Sequence, residues 1–311
     1  MYHPYFRGKQ FELITVRETA AVMAEAGFVP IIEPVKETLN GLDRALTAVC
    51  EAGGSAITIV NPYHGDHSED GAGISTLLKT KYLGKGGVSA GILLKEHMSR
   101  TDALNCYEAH KDHSPVFIHA GFTDGKGLAE DIAEILSESQ HVFFEKYCGT
   151  LYRRHYRDSR RILLRDGFER RRNADHPPRE VFSELHLTYE DDGMDGFGDF
   201  LTVGDDYSEG GGPAYAVAIH LTFINPEEDD VMYIYHFVSD TKDTPTDPAG
   251  KFAQALAKLI KKLDSGASHL ADTSAIAEFR DLHTKKHFPG LGQVKKLSMI
   301  HHIETMARYL S

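Results

Sequence analysis

Short apolar runs that each close on a polar or charged residue recur along the chain: FVPIIE33, SAITIVN61, VSAGILLK95, SPVFIH119, HVFFE145 and RRILLRD166. They are continuous rather than alternating, the pattern of strands buried on both faces. Between them lie stretches with an apolar stripe at helical spacing. FELITVRETAAVMAEAG27 places Leu13, Val16, Ala20 and Met23 on one side, and KGLAEDIAEILSES does the same with Leu128, Ile132 and Ile135. Gly27, Gly53 and Gly54 suit helix C-termini. A strand, a loop and a helix every roughly 25–30 residues is the signature of βα units.

Two later runs, AYAVAIH220 and MYIYHFVSD240, raise the strand count to eight. The chain contains no GxxxxGK[ST], and no GxGxxG follows its first strand, so a barrel is favoured over a dinucleotide-binding or P-loop sheet. The expected fold class is α/β, a TIM-like (β/α) barrel with irregularities allowed for. An insertion would follow strand six, and helices would close the chain. The last two runs also fit an antiparallel hairpin, because only the acidic NPEEDD230 joins them and parallel neighbours need a longer crossover. The expected organisation is one barrel-like domain over 1–311. Residues 167–212 form its inserted loop region, and C-terminal helices over 247–311 pack on the barrel. Asp247 is a suitable N-cap, with Pro248 at the first helical position.

The length of 311 residues suits one large domain. No long uncharged apolar stretch or N-terminal signal pattern occurs, which predicts a protein that does not enter a membrane and works in the cytoplasm. The three cysteines, Cys50, Cys106 and Cys148, form neither a disulfide framework nor a CxxC site; Cys148 follows a strand end, where a reactive thiol could sit. A net charge of −12 repels nucleic acid at long range. Locally the balance reverses: Arg153, Arg154, Arg157, Arg160, Arg161, Arg165, Arg170, Arg171 and Arg172 precede an acidic stretch over 180–209. The two segments can pair with each other, or the arginines can serve a phosphate or nucleic-acid site.

In a barrel the polar strand ends meet at one mouth. Glu33, His119 and Glu145 are the candidate catalytic residues, because two carboxylates and a histidine can divide acid and base work once burial tunes them. Asn61, Lys95, Arg165, Asp166, His236 and Asp240 are the candidate substrate-binding residues. Lys95 fits a phosphate contact and also a Schiff base. Glu33, His119, Glu145, Asp166 and His236 offer oxygen and nitrogen ligands, so a divalent metal such as Mg²⁺, Mn²⁺ or Zn²⁺ fits as a cofactor, although no HExxH occurs. His64 and His67 read first as part of a solvent-exposed loop, His283 and His287 share a helical face but read first as surface residues, and the pair His301–His302 lies in a predicted helix. The glycines of EGGGPAY could bring backbone N–H groups near an anion.

The motifs MYHPYFRGKQFELI, PIIEPV35, GFGDF200, EGGGPAYAVAIHLT222 and HFVSD240 together resemble a bacterial family related to the phage beta protein group, over nearly the full length. That resemblance implies a barrel-like α/β fold, a phage-defence or nucleic-acid setting, and a protein partner encoded nearby. It assigns no catalytic residue, so the roles given to Glu33, His119 and Glu145 rest on position alone. The leading functional reading is a hydrolase using acid–base or metal-assisted chemistry on a phosphorylated or nucleotide-like substrate, a phosphodiester being the concrete case. The alternative is a non-enzymatic component of a phage-defence system that binds protein or nucleic acid through the arginine segment. A lysine-dependent carbon–carbon lyase is a third reading.

Overall fold

A computed structural model describes residues 1–210 and 212–311. The chain forms two compact units, one built from Met1–Arg165 with Thr188–Phe200, the other from Asp166–Leu187 with Leu201–Ser311.

The first unit is a parallel barrel. Its strands are β1 (Tyr5–Phe6), β2 (Ile31–Ile32), β3 (Ala56–Ile59), β4 (Val88–Lys95), β5 (Val116–Ala120), β6 (Gln140–Phe144) and β7 (Arg160–Leu164). They pair in chain order, and β7 then pairs with a strand at Gly196–Gly198. That last strand joins the first through backbone bonds from His3 N–H to Phe197 O (2.8 Å) and from Tyr5 N–H to Asp199 O (2.9 Å), which brings the sheet's two edges together. Two glycines permit the junction. A Cβ on Gly198 would lie 2.0 Å from the His3 carbonyl oxygen, and one on Gly196 would lie 2.7 Å from that of Met1.

Alternation along the strands sorts the side chains. Tyr5, Ile31, Ile57, Ile59, Leu93, Val116, Ile118, Val142, Phe144, Ile162 and Leu164 fill the interior. Their sequence neighbours Phe117, His119, His141 and Phe143 point the other way, into the layer beneath the surrounding helices.

Two expectations are corrected here. The runs ending at His220 and Asp240 are not barrel strands seven and eight. They form an antiparallel hairpin in the second unit, and the connection between them is too short to cross over. The true first and last barrel strands are only two and three residues long. The last one lies within 167–212, the stretch expected to be inserted loops.

In the second unit, β8 (Arg179–Ser183), β10 (Ala218–Asn225) and β11 (Val231–Val238) make an antiparallel sheet in the order β10–β11–β8, with β9 the Gly196–Gly198 barrel strand. One face of the hairpin carries Val217, Ile219, Leu221, Phe223, Tyr235 and Phe237. These pack with Phe252, Leu256 and Leu259 of helix Pro248–Asp264, Phe279 of helix Ser274–Lys285 and Leu297 of helix Leu291–Leu310. The C-terminal helices expected to lie on the barrel thus bury their apolar stripes against this sheet. Asp247 caps the first of them, accepting from Gly250 N–H (2.9 Å). The opposite face of the hairpin presents His220 and His236, which are directly paired across the strands.

Candidate functional site

The barrel mouth collects polar side chains from the ends of its first four strands. By strand alternation Arg7, Glu33, Asn61 and Lys95 continue the inward rows of Tyr5, Ile31, Ile59 and Leu93. Glu33 is wholly buried. Its Oε2 accepts from Tyr5 Oη (2.9 Å) and Arg7 Nη1 (2.5 Å), and its Oε1 accepts from the backbone N–H groups of Tyr63 (2.8 Å) and His64 (3.1 Å). Asn61 is tied to the neighbouring strand: its Nδ2 donates to Leu93 O (2.9 Å) and its Oδ1 accepts from Leu93 N–H (2.8 Å). Lys95 is half-buried, and its Nζ donates to Pro62 O (2.7 Å) with the exposed Tyr63 ring 5.9 Å away. Burial lowers the Lys95 pKa, partly offset by the charge of Glu33.

Within the barrel unit, His119 and Glu145 do not join this group. His119 faces outward from β5, and its Nδ1 lies 2.7 Å from Tyr152 Oη and its Nε2 2.9 Å from His141 Nδ1. Burial, and then the neighbouring His141, push the His119 pKa well below the ordinary histidine range. Glu145 is held bidentately by Arg165 (2.6 and 2.8 Å) at a partly exposed position. Asp166 braces a local turn, accepting from Phe168 N–H (2.9 Å) and Asp205 N–H (2.7 Å). Asp240 is exposed and paired with Lys258 (2.7 Å). Among the described residues, Glu33, His119, Glu145 and Asp166 belong to no group of three or more side chains able to hold one ion; of the expected ligands only His236 does.

Other readings are settled locally. His301 and His302 lie in a helix, as expected, and are buried, bonding to Thr273 Oγ1 (2.8 Å) and Thr222 Oγ1 (2.8 Å). His283 and His287 are exposed. Burial pushes the Cys148 thiol up to about 12, which is the opposite of an activated thiolate. The glycine run of EGGGPAY includes position 211, which lies outside the described residues. Part of the arginine segment does pair with the acidic stretch: Arg170 with Asp206 (3.3 Å), Arg171 with Glu180 (3.0 Å) and Arg165 with Asp192 (3.8 Å).

A second polar cluster lies in the other unit, and of its members only His236 was expected to serve a site. His176, His220 and His236 each bring one ring nitrogen to within 4.8 Å of the others, a set capable of coordinating a divalent metal ion. The hairpin register sets His220 against His236, with their Nδ1 atoms 2.7 Å apart. His176 arrives from the loop after Asn173–Asp175 and stacks on His236, ring centroids 4.3 Å apart. On β8, Glu180 takes the other nitrogen of His236, Nε2 to Oε1 at 2.9 Å. If Nε2 carries the proton given to Glu180, the His236 Nδ1 lone pair faces inward; a carboxylate behind a metal-binding histidine acts in this way. Two imidazole Nδ1 atoms so close need a proton or a cation between them.

His176 is buried, yet neither of its ring nitrogens has a hydrogen-bond partner among the described residues; Glu180 Oε1 is 3.7 Å from Nδ1. Burial lowers the pKa of all three histidines, that of His236 to about 4, so the set is neutral and able to ligate at physiological pH. An all-nitrogen set suits zinc and its transition-metal neighbours better than Mg²⁺ or Ca²⁺. Tetrahedral zinc, with bonds of about 2.0–2.1 Å, spaces its ligands about 3.3 Å apart, so the His220–His236 pair would open by roughly 0.6 Å.

Among the described residues no helix is long and apolar enough to cross a membrane. No protein-family model, curated protein or solved structure matches the chain, so its chemistry has to be read from these side chains.

Proposed function

We propose that the chain is a metal-dependent hydrolase whose ion is held by His176, His220 and His236, and that its substrates are phosphate esters. The observation that carries this reading is the trio itself: three neutral imidazoles converging, one of them a buried histidine whose nitrogens have no hydrogen-bond partner among the described residues. Three histidines leave a fourth coordination position for water or substrate, the arrangement of catalytic rather than structural zinc. A divalent ion there would act as a Lewis acid and lower the pKa of a bound water. His220 is the partly exposed member of the trio. Glu180 orients His236, and Arg171, bonded to Glu180, sets a guanidinium beside the cluster where a phosphoryl group would need positive charge.

The test begins with zinc, cobalt and manganese titrated into chelator-treated protein, followed by metal analysis. Hydrolysis of bis(p-nitrophenyl) phosphate and p-nitrophenyl acetate is then compared in wild type and His220→Ala. About one equivalent of zinc and phosphodiester cleavage that the variant loses are expected. Cleavage of the carboxylic ester alone would leave the metal centre standing and remove the phosphate assignment. Failure to bind any of the three ions would remove the whole reading.

A further inference from the structure

The barrel mouth supports a separate inference that does not depend on the metal centre. Of the four polar side chains that continue the inward rows of the first four strands, three are committed to the fold. Glu33 accepts four hydrogen bonds, Arg7 is its ion-pair partner, and Asn61 both donates to and accepts from the backbone of β4. Lys95 differs. Among the described residues its Nζ makes one hydrogen bond, to Pro62 O, and no ion pair, while the charges of Glu33 and Glu69 act on it from farther away. It sits on the last residue of a barrel strand, half-buried and beside the exposed Tyr63, so it can be reached from solvent.

We propose that Lys95 is a nucleophilic amine that captures small aldehydes or ketones at the barrel mouth as imines. In the step, the Nζ lone pair forms a bond to the carbonyl carbon while the carbonyl π pair moves to oxygen. Both amine hydrogens then leave with that oxygen as water, and a C=N bond remains. The exchange needs no oxidant or reductant. Two features favour it. Desolvation disfavours the ammonium form, and every pH unit by which the pKa falls raises the neutral fraction at pH 7 about tenfold. The Pro62 carbonyl can accept one N–H of the neutral amine while the lone pair stays available for attack. Glu33 cannot restore the charged form by pairing directly with Lys95, since its oxygens are filled by other donors.

The experiment uses the full chain at pH 7 with glycolaldehyde and sodium cyanoborohydride, which fixes imines as stable amines. Peptide mapping by mass spectrometry follows the labelling rate of each lysine. The exposed Lys126 is the internal reference. Lys95 is expected to be labelled faster than Lys126, with an advantage that shrinks as pH rises toward 10 and ordinary lysines deprotonate. Equal or slower labelling of Lys95 would overturn the proposal, and would mean that the amine serves only to hold the Pro62 carbonyl. Because the ratio is read within the wild-type chain, no folding-defective variant can obscure it. The same ratio is expected in His220→Ala, so failure of the metal reading and failure of this one are separable.

Discussion

The Glu33 carboxylate at the barrel mouth and the histidine face of the hairpin are both buried and polar, and they differ in how far hydrogen bonds within the chain complete them. At the mouth the carboxylate of Glu33 meets a guanidinium, a phenol and two backbone amides, and all four reach it. On the hairpin, Glu180 serves His236 and Arg171, His220 and His236 share one contact, and His176 has no hydrogen-bond partner among the described residues. An internally complete cluster is held for stability, because a buried charge is tolerated only when paired. An incomplete cluster costs free energy in the free chain and gains from an outside ion. The contrast fits a structural role for Glu33 and, for the histidines, the metal binding proposed above.

The widest perturbation, acid, should fail to tell the two regions apart. His3 and His141 in the barrel unit have pKa values lowered to about 3 by burial, and His301 in the second unit is lowered to about 4. An unfolded histidine titrates near 6.5, so below that pH the unfolded chain binds more protons than the folded one. Stability is full above pH 6.5 and is lost as pH falls toward 4, at up to about 1.4 kcal/mol per pH unit for each such histidine. Urea midpoints taken at pH 7.5, 6 and 5 should fall together whether the probe reports the barrel or the hairpin unit.

Glu33→Gln should separate the regions. It leaves Arg7 buried opposite a neutral amide, and removing one member of a buried pair costs about 3–5 kcal/mol. Chelator-treated protein should show this loss in denaturant unfolding with zinc binding at the hairpin unaltered in affinity. A substitution as mild as a surface one would show that Glu33 is not the saturated carboxylate described.

Zinc is the converse probe. At a hundredfold excess over its dissociation constant it should stabilise wild type by about 2.7 kcal/mol. His236→Ala should remove that increment while retaining the barrel. An equal gain in the variant would place the ion elsewhere.

How much of this could be read from the sequence follows the same division. β3 to β7 were visible as continuous apolar runs, because a strand buried on both faces has little freedom in composition. β1 and the Gly196–Gly198 strand were not, since two or three residues carry no period, and what defines them is the close approach that the glycines allow. Glu33, Asn61 and Lys95 were found as strand-terminal polar groups, and they do share the mouth. His119 and Glu145 passed the same criterion, but position at a strand end does not fix direction. With Ile118 and Phe144 inward, the neighbouring residue in each strand turns away. The histidine trio lay beyond reach because its members come from a loop and two strands. One signal existed: an antiparallel reading of the hairpin about NPEEDD230 sets His220 opposite His236. Arg7 could have been found only by recognising HPYFR as a strand.

The finest test is the substitution with the smallest expected effect on stability, His176→Leu. In the free chain this removes two buried nitrogens that have no hydrogen-bond partner among the described residues and replaces an imidazole with an apolar group of comparable bulk. Trading an unsatisfied polar group for an apolar one is nearly neutral or stabilising, so unfolding of the metal-free protein should move by less than about 1 kcal/mol. The stacking on His236 and the contact with the Phe168 ring are what the leucine must replace. Were His176 instead part of a structural hydrogen-bond network, the same change would cost several times more, as loss of a buried partner does at Glu33. A substitution almost silent without metal that removes zinc stabilisation would show that the residue is retained for the ion.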